Sequence, residues 1–326
     1  MRTKVILTGL LTCIGIAAWA QDAKAEEPKG KAIIQVFSNF HSGFGASNND
    51  RGFELERSYL GYEYKLADGL SVKGVMDIGK SGDVSDYHRI AYVKNAMVSW
   101  KKGRLTLNGG LIPTTQFNVQ EKFWGYRYIL KSFQDQYKFG SSADLGISAA
   151  YRFADWISAD AILVNGEGYK KIQDNDGLNY GLGVTLTPAK GLHFRLYGGL
   201  NEGGQAGQKD IANLAVSAGY RCERLTVGAE YNRMWNTSYK DGADQYGYSL
   251  YASVGVARNA DLYARFDDLG SKHGWNKPKD EQAALLGAQF RLGKYVKLAP
   301  NVRLTLPKAD GADNGYSAYV SCYFGL

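Results

Sequence analysis

The sequence predicts an all-β fold, a transmembrane antiparallel up-and-down β-barrel of 16 strands, with short turns at one end and longer loops at the other. Three observations predict it. Residues 31–326 break into short segments in which apolar and polar side chains alternate. The connections between segments are alternately tight and long, and aromatic residues gather near segment ends. Alternation with period two puts one set of side chains on each face of a strand, and about ten residues suffice for a tilted strand to cross a bilayer.

The first two segments are 31–41 and 53–66. In the second, Phe53 and Leu55 have opposite parity to Leu60, Tyr62 and Tyr64, which predicts a bulge near Arg57 or an exit from the membrane there. The polar hinge Ala67-Asp68-Gly69 leads into 70–79, where Leu70, Val72, Met76 and Ile78 oppose Ser71, Lys73 and Asp77. Segments 90–100 and 104–112 follow, joined at Lys102-Gly103. After a long irregular stretch come 142–153, 157–165, 177–187, 192–200 and 210–221. In the first of these Leu145, Ile147, Ala149, Tyr151 and Phe153 oppose Asp144, Ser148 and Arg152. In 192–200 Leu192, Phe194, Leu196 and Leu200 oppose His193, Arg195 and Tyr197. The remaining segments are 225–235, 245–256, 261–269, 281–292, 295–306 and 315–324. Here Leu262, Ala264 and Phe266 oppose Tyr263, Arg265 and Asp267, and Val296, Leu298, Val302 and Leu304 oppose Lys297, Asn301, Arg303 and Thr305.

Seven connections are tight and eight are longer, in strict alternation. A soluble sandwich has no reason to keep its long loops at one end, whereas a barrel with short periplasmic turns does. Phe40, Tyr62, Tyr64, Trp100, Phe153, Trp156, Tyr220, Trp235, Tyr295, Tyr323 and Phe324 lie near strand ends, where a lipid–water boundary favours aromatic rings. The final strand would pair with the first and remove both sheet edges.

Mean hydropathy is −0.33, which does not exclude this reading, because every second wall residue faces water. Arg2 and Lys4, the run VILTGLLTCIGIAAWA and the pattern Ala18-Trp19-Ala20 predict a signal peptide over 1–20, with cleavage after Ala25 as the second choice. Thr12 before Cys13 departs from a lipidation site. Residues 21–30 read as a short periplasmic lead, and Cys222 and Cys322 as free thiols. Lys and Arg total 39 against 32 Asp and Glu; loss of Arg2 and Lys4 with the leader lowers the net +7 to about +5. No basic block points to nucleic acid.

The stretch 113–141 is the longest connection and holds five aromatics between Phe117 and Tyr128. We read it as a constriction loop folded into the lumen, with a helix over 124–133; the alternative is an outside loop packed on its neighbours or at a subunit contact. Candidate pore-lining residues are Glu121, Lys122, Arg127, Lys131 and Asp135 from this loop, and Lys73, Arg195, Arg265 and Arg303 from the wall. Bases outnumber acids on the inward face, which predicts a mild anion preference. Any one of these arginines could instead pair with an acid on a neighbouring strand and stiffen the barrel.

The stretches GFELERSYLGYEYKLADGLSVKGVMDIG, GGLIPTTQF and SSADLGISAAYRF…ILVNGEGY resemble the phosphate-selective porin O and P family, best over residues 52–168. The resemblance implies a Gram-negative outer-membrane porin, often a homotrimer, whose third outer loop enters the lumen. It implies passive diffusion of small hydrophilic solutes and ions. No Lys ladder or central Arg cluster matches residue by residue, so phosphate selectivity is not carried over. The chain also ends Phe324-Gly325-Leu326 rather than on the aromatic itself.

Two rivals remain: a barrel-embedded hydrolase, and a non-conducting structural or adhesive barrel. A hydrolase needs a histidine near a nucleophile or an acid. Of the four histidines, His193 has no acid at its level, His41 lies near an outer strand end, and His88 and His273 fall in loops, the former near Asp83 and Asp86. No Cys or His spacing suggests a metal site, and NEGGQAGQKD lacks the helix and Lys of a phosphate-binding loop, so no cofactor is expected.

Overall fold

The computed structural model describes residues 29–45, 50–81 and 85–326, so the signal peptide and most of the predicted lead lie outside the described residues. The chain forms strands β1 (Lys29–Gly45), β2 (Arg51–Lys65), β3 (Leu70–Ser81), β4 (Ser85–Lys102) and β5 (Leu105–Pro113). Helices α1 (Asn118–Trp124) and α2 (Phe133–Gln136) come next. Then follow β6 (Ala143–Ala154), β7 (Ile157–Val164), β8 (Asn179–Leu186), β9 (Leu192–Asn201) and β10 (Ile211–Arg221). The last six are β11 (Leu225–Trp235), β12 (Gln245–Ala257), β13 (Ala260–Ser271), β14 (Glu281–Leu292), β15 (Val296–Pro307) and β16 (Gly315–Gly325). Each strand pairs with the next, and β16 closes antiparallel on β1, giving a closed barrel of sixteen strands.

The wall is two-faced as the alternation requires. Leu286, Leu182, Ile147 and Val302 point outward and are 55–60% exposed. So broad an apolar surface is unfavourable in water and suits lipid contact. Tyr62, Phe153, Trp156, Tyr220 and Tyr295 ring the short-turn end of this surface. Tyr323 departs from the predicted girdle. It turns inward, with its ring 5.8 Å from Phe37 and 5.5 Å from Tyr128.

Strands β1 to β4 run further at the long-loop end than predicted, which shortens the β1–β2 and β3–β4 connections to 46–50 and 82–84. These extensions include Gly43, Gly45 and Gly52 beside Ser42, Arg51, Lys80 and Arg89, so no apolar alternation announced them. Two irregularities in this region matter for the lumen. The β1–β2 register shifts between Phe37 and Ser38, which skips Glu56 beside Arg57, the position where the parity conflict predicted a bulge. The β3–β4 register shifts between Val75 and Met76, which leaves Lys94 as the extra residue of β4. A bulge redirects side chains across the sheet.

Candidate functional site

Segment 114–142, between β5 and β6, fills much of the barrel interior. Its first helix stops at Trp124 because Gly125 adopts φ 77° and returns its N–H to the Glu121 carbonyl at 3.0 Å. Such a left-handed glycine cap ends a helix, so the helix predicted over 124–133 does not form. The chain instead turns repeatedly, and only Phe133–Gln136 is helical again. This compact path buries Trp124, Tyr126, Tyr128 and Ile129 against Phe37, Tyr59, Tyr251, Tyr263 and Leu285 of the wall. Two wall glycines make room. A methyl at Gly219 would sit 2.3 Å from the Phe123 ring, and one at Gly247 would sit 2.4 Å from the Phe133 ring. The hydrophobic core of the protein is therefore inside the lumen, made by loop and wall together.

Arginines from four strands hold the loop by its backbone. Arg195 on β9 donates to the Thr115 carbonyl at 2.6 Å, Arg265 on β13 to Lys131 at 2.6 Å, and Arg303 on β15 to Ile129 at 2.7 Å. Arg221 on β10 donates to the Lys122 carbonyl at 3.2 Å and also to that of Phe123. Burying a guanidinium requires compensation. Arg195 finds it in Asp160 at 2.7 Å and Arg265 in Asp267 at 2.6 Å. A charge-assisted hydrogen bond contributes roughly 1.5–3 kcal/mol, so four of them fix the loop against the β9–β15 side.

The other side of the lumen carries a cluster of charges. Arg57 meets Asp77 at 3.1 Å and donates to the Tyr59 hydroxyl at 3.2 Å. Lys94 donates to the same hydroxyl at 3.1 Å, with its ammonium 4.6 Å from the Tyr59 ring centre and 5.5 Å from that of Tyr169. From the loop, Arg127 binds Glu121 at 2.7 Å and Asp135 at 2.9 Å. The β7–β8 connection also folds inward: Tyr169 donates to Asp77, and Lys170 lies 5.2 Å from the Tyr92 ring centre. Lys131 is within electrostatic reach of Arg57, Arg127 and Lys170. Burial pushes the Lys131 ammonium below its ordinary value of 10.5, Asp135 opposes this, and the neighbouring cations add to it. Burial also disfavours the Asp135 carboxylate, but Arg127, Lys131, Arg57 and Lys94 outweigh it and hold the group below 3.8. Five cations thus face Asp77, Glu121 and Asp135, with Glu56 also within electrostatic reach of Lys131.

Among the residues singled out from sequence, Glu121, Arg127, Lys131 and Asp135 meet in this cluster. Arg195, Arg265 and Arg303 point inward but are engaged by the loop backbone. Lys122 is exposed on α1, toward Arg221. Lys73 is half-buried near the short-turn end, opposite Glu63 in register. Sequence reading missed Arg57, Lys94 and Lys170. In an unbroken β4, Lys94 would share a face with Ala96 and Val98 and point to lipid. The bulge turns it inward, and only an interrupted parity in residues 91–96 could have signalled that.

His41 lies buried between Asn39 at 2.7 Å and Asp50 at 2.9 Å, so both ring nitrogens are occupied. His193 stacks on Phe123 at 5.4 Å. Asp83 and the Asp86 side chain, weighed as partners of His88, lie outside the described residues.

Neither a family model nor a curated protein sequence matches this chain. Solved structures do. The anion-selective porin from Comamonas acidovorans is 16% identical with TM-score 0.67, covering 92% of this chain and 100% of that one. OprB of Pseudomonas putida is 11% identical with TM-score 0.71, covering 91% and 94% respectively. The outer-membrane expressed OmpT of Vibrio cholerae is 17% identical with TM-score 0.65, covering 93% and 99%. At these identities the likeness shows the barrel fold. Kinship with the phosphate-selective group in particular rests on the sequence motifs alone.

Proposed function

We propose that this protein is an outer-membrane porin, a water-filled channel for passive diffusion of small hydrophilic solutes and ions with a mild preference for anions. The observation that carries this reading is the lumen itself. A closed barrel with a lipid-suited exterior contains a loop anchored to one side, and the opposite side carries five cations against four carboxylates, Glu56 among them. The name of the Comamonas structure, an anion-selective porin, accords with this.

The anchored loop narrows the pore, and selectivity arises where cations outnumber acids in a confined, low-dielectric passage. Sixteen strands give a diameter wide enough for an aqueous path beside an inserted loop. His41 has both nitrogens engaged by Asn39 and Asp50, so it offers no free nitrogen to activate a nucleophile. We read residues 1–20 as a signal peptide and the assembly as a homotrimer; one OmpT neighbour is described in a trimer form.

Liposome swelling tests the reading. Vesicles carrying folded protein should swell in isotonic solutions of small sugars at rates that fall with solute size. Rates equal to those of protein-free vesicles would refute it.

A further inference from the structure

We infer that the lysine patch formed by Lys94, Lys131 and Lys170 is a binding site for organic monocarboxylates and discriminates against phosphate. The inference deepens the channel reading and rests on it for solute access to the lumen.

Three observations carry it. First, the two guanidiniums of the cluster are already engaged: Arg57 with Asp77, and Arg127 with Glu121 and Asp135. A planar guanidinium fork is the group best matched to phosphate, and here neither fork is free. Second, among the described residues none of the three lysine ammoniums is in ion-pair contact with a carboxylate. Third, two of these ammoniums rest on tyrosine faces, Lys94 over Tyr59 and Tyr169, and Lys170 over Tyr92.

A cation held against a ring exchanges part of its hydration for a weak interaction, and it offers an incoming anion a low field. A phosphate dianion gives up a large hydration energy and needs many strong donors in return. It would also approach Asp77, Glu121 and Asp135. A carboxylate on an apolar frame carries one charge, needs few donors, and can lay that frame against the edges of the tyrosine pair Tyr92 and Tyr169, whose ring centres are 6.3 Å apart. The site therefore suits a weakly hydrated monoanion, with Lys94 of the wall and Lys170 of the β7–β8 connection supplying the contacts and Lys131 of the inserted loop adding charge within electrostatic reach.

The test uses the full folded barrel in detergent and 4-fluorobenzoate as the probe, followed by fluorine NMR linewidth. Wild type should broaden the probe signal. Butyrate should reverse the broadening at a concentration about tenfold or more below that at which phosphate does, a difference equivalent to one decade in Kd. K94Q and K170Q, shown to be folded by heat-modifiable gel migration, should each weaken binding about tenfold by the same measure. No broadening, displacement by phosphate at the concentrations that suffice for butyrate, or binding unchanged in both variants would overturn the inference. Planar-bilayer conductance measured on the same sample tests the channel reading separately. Probe binding with a silent bilayer would overturn the channel and leave the carboxylate site standing.

Discussion

The guanidinium of Arg265 donates to the main-chain carbonyl of Lys131 at 2.6 Å, from a strand 134 residues further along the chain. The same guanidinium is bonded to Asp267, and the two side chains are 2% and 1% exposed. Arg265 therefore neutralises a buried acid and fastens the inserted loop at Lys131. Replacement by Gln leaves Asp267 buried without its counterion, a change that costs roughly 3–5 kcal/mol. R265Q should lower the denaturation midpoint in a gel-shift titration and enlarge or destabilise the open-channel current. D267N together with R265Q should recover part of the stability but not the loop position.

Gly219 gives a second handle on the loop, at its deepest point. A side chain there collides with the Phe123 ring, which also stacks on His193 and lies 4.6 Å from Arg221. G219V should displace Phe123 at a cost of roughly 1–3 kcal/mol, in the range for overpacking. Single-channel conductance should rise or become noisy, and quenching of Trp124 fluorescence by a water-soluble quencher should increase.

The outer face responds differently. Leu182 on β8 is 59% exposed and faces outward. L182R should destabilise the barrel in lipid by about 2–4 kcal/mol, the range for a charge at the bilayer midplane. Its anion preference should not change. The measurement is the unfolding midpoint in liposomes, and no shift would mean that this face does not meet hydrocarbon.

pH should act on the lysine patch from the alkaline side. The Lys131 ammonium is held below 10.5, so it loses its proton as pH rises through that lowered value, before an ordinary lysine would. Anion preference should therefore begin to fall below pH 10.5 and should not show this step in K131Q. By linkage, stability rises across the same window, because the unfolded chain then binds the extra proton. Asp135 has the same sign in an acidic window: stability rises with pH there too, because the unfolded chain again binds the extra proton. Its carboxyl lies below 3.8, so its pairing with Arg127 persists on acidification and is lost only as pH falls through that lower value.

The barrel was legible because its physics is local. Leu192 to Leu200 and Leu262 to Phe266 alternate against Arg195 and Arg265, and lipid on one side enforces that pattern along each strand. The parity conflict between Leu55 and Leu60 pointed to a bulge or a membrane exit near Arg57, and the register indeed skips Glu56 beside it. The lumen was less legible, because it depends on which distant residues a folded loop brings together. Arg195, Arg265 and Arg303 look like free pore charges in sequence, and only their bonds to Thr115, Lys131 and Ile129 reveal them as anchors. Lys94 was hidden by a register shift, and Lys170 by a connection whose inward fold depends on Tyr169 reaching Asp77. Tyr323 was misplaced because position near a strand end says nothing about which face a ring occupies.

The most direct test of the central claim is planar-bilayer recording of the purified, folded protein under a potassium chloride gradient. Stepwise increases in conductance and a reversal potential displaced toward that of chloride are expected. Bilayers that stay closed, or a reversal potential displaced toward potassium, would contradict it.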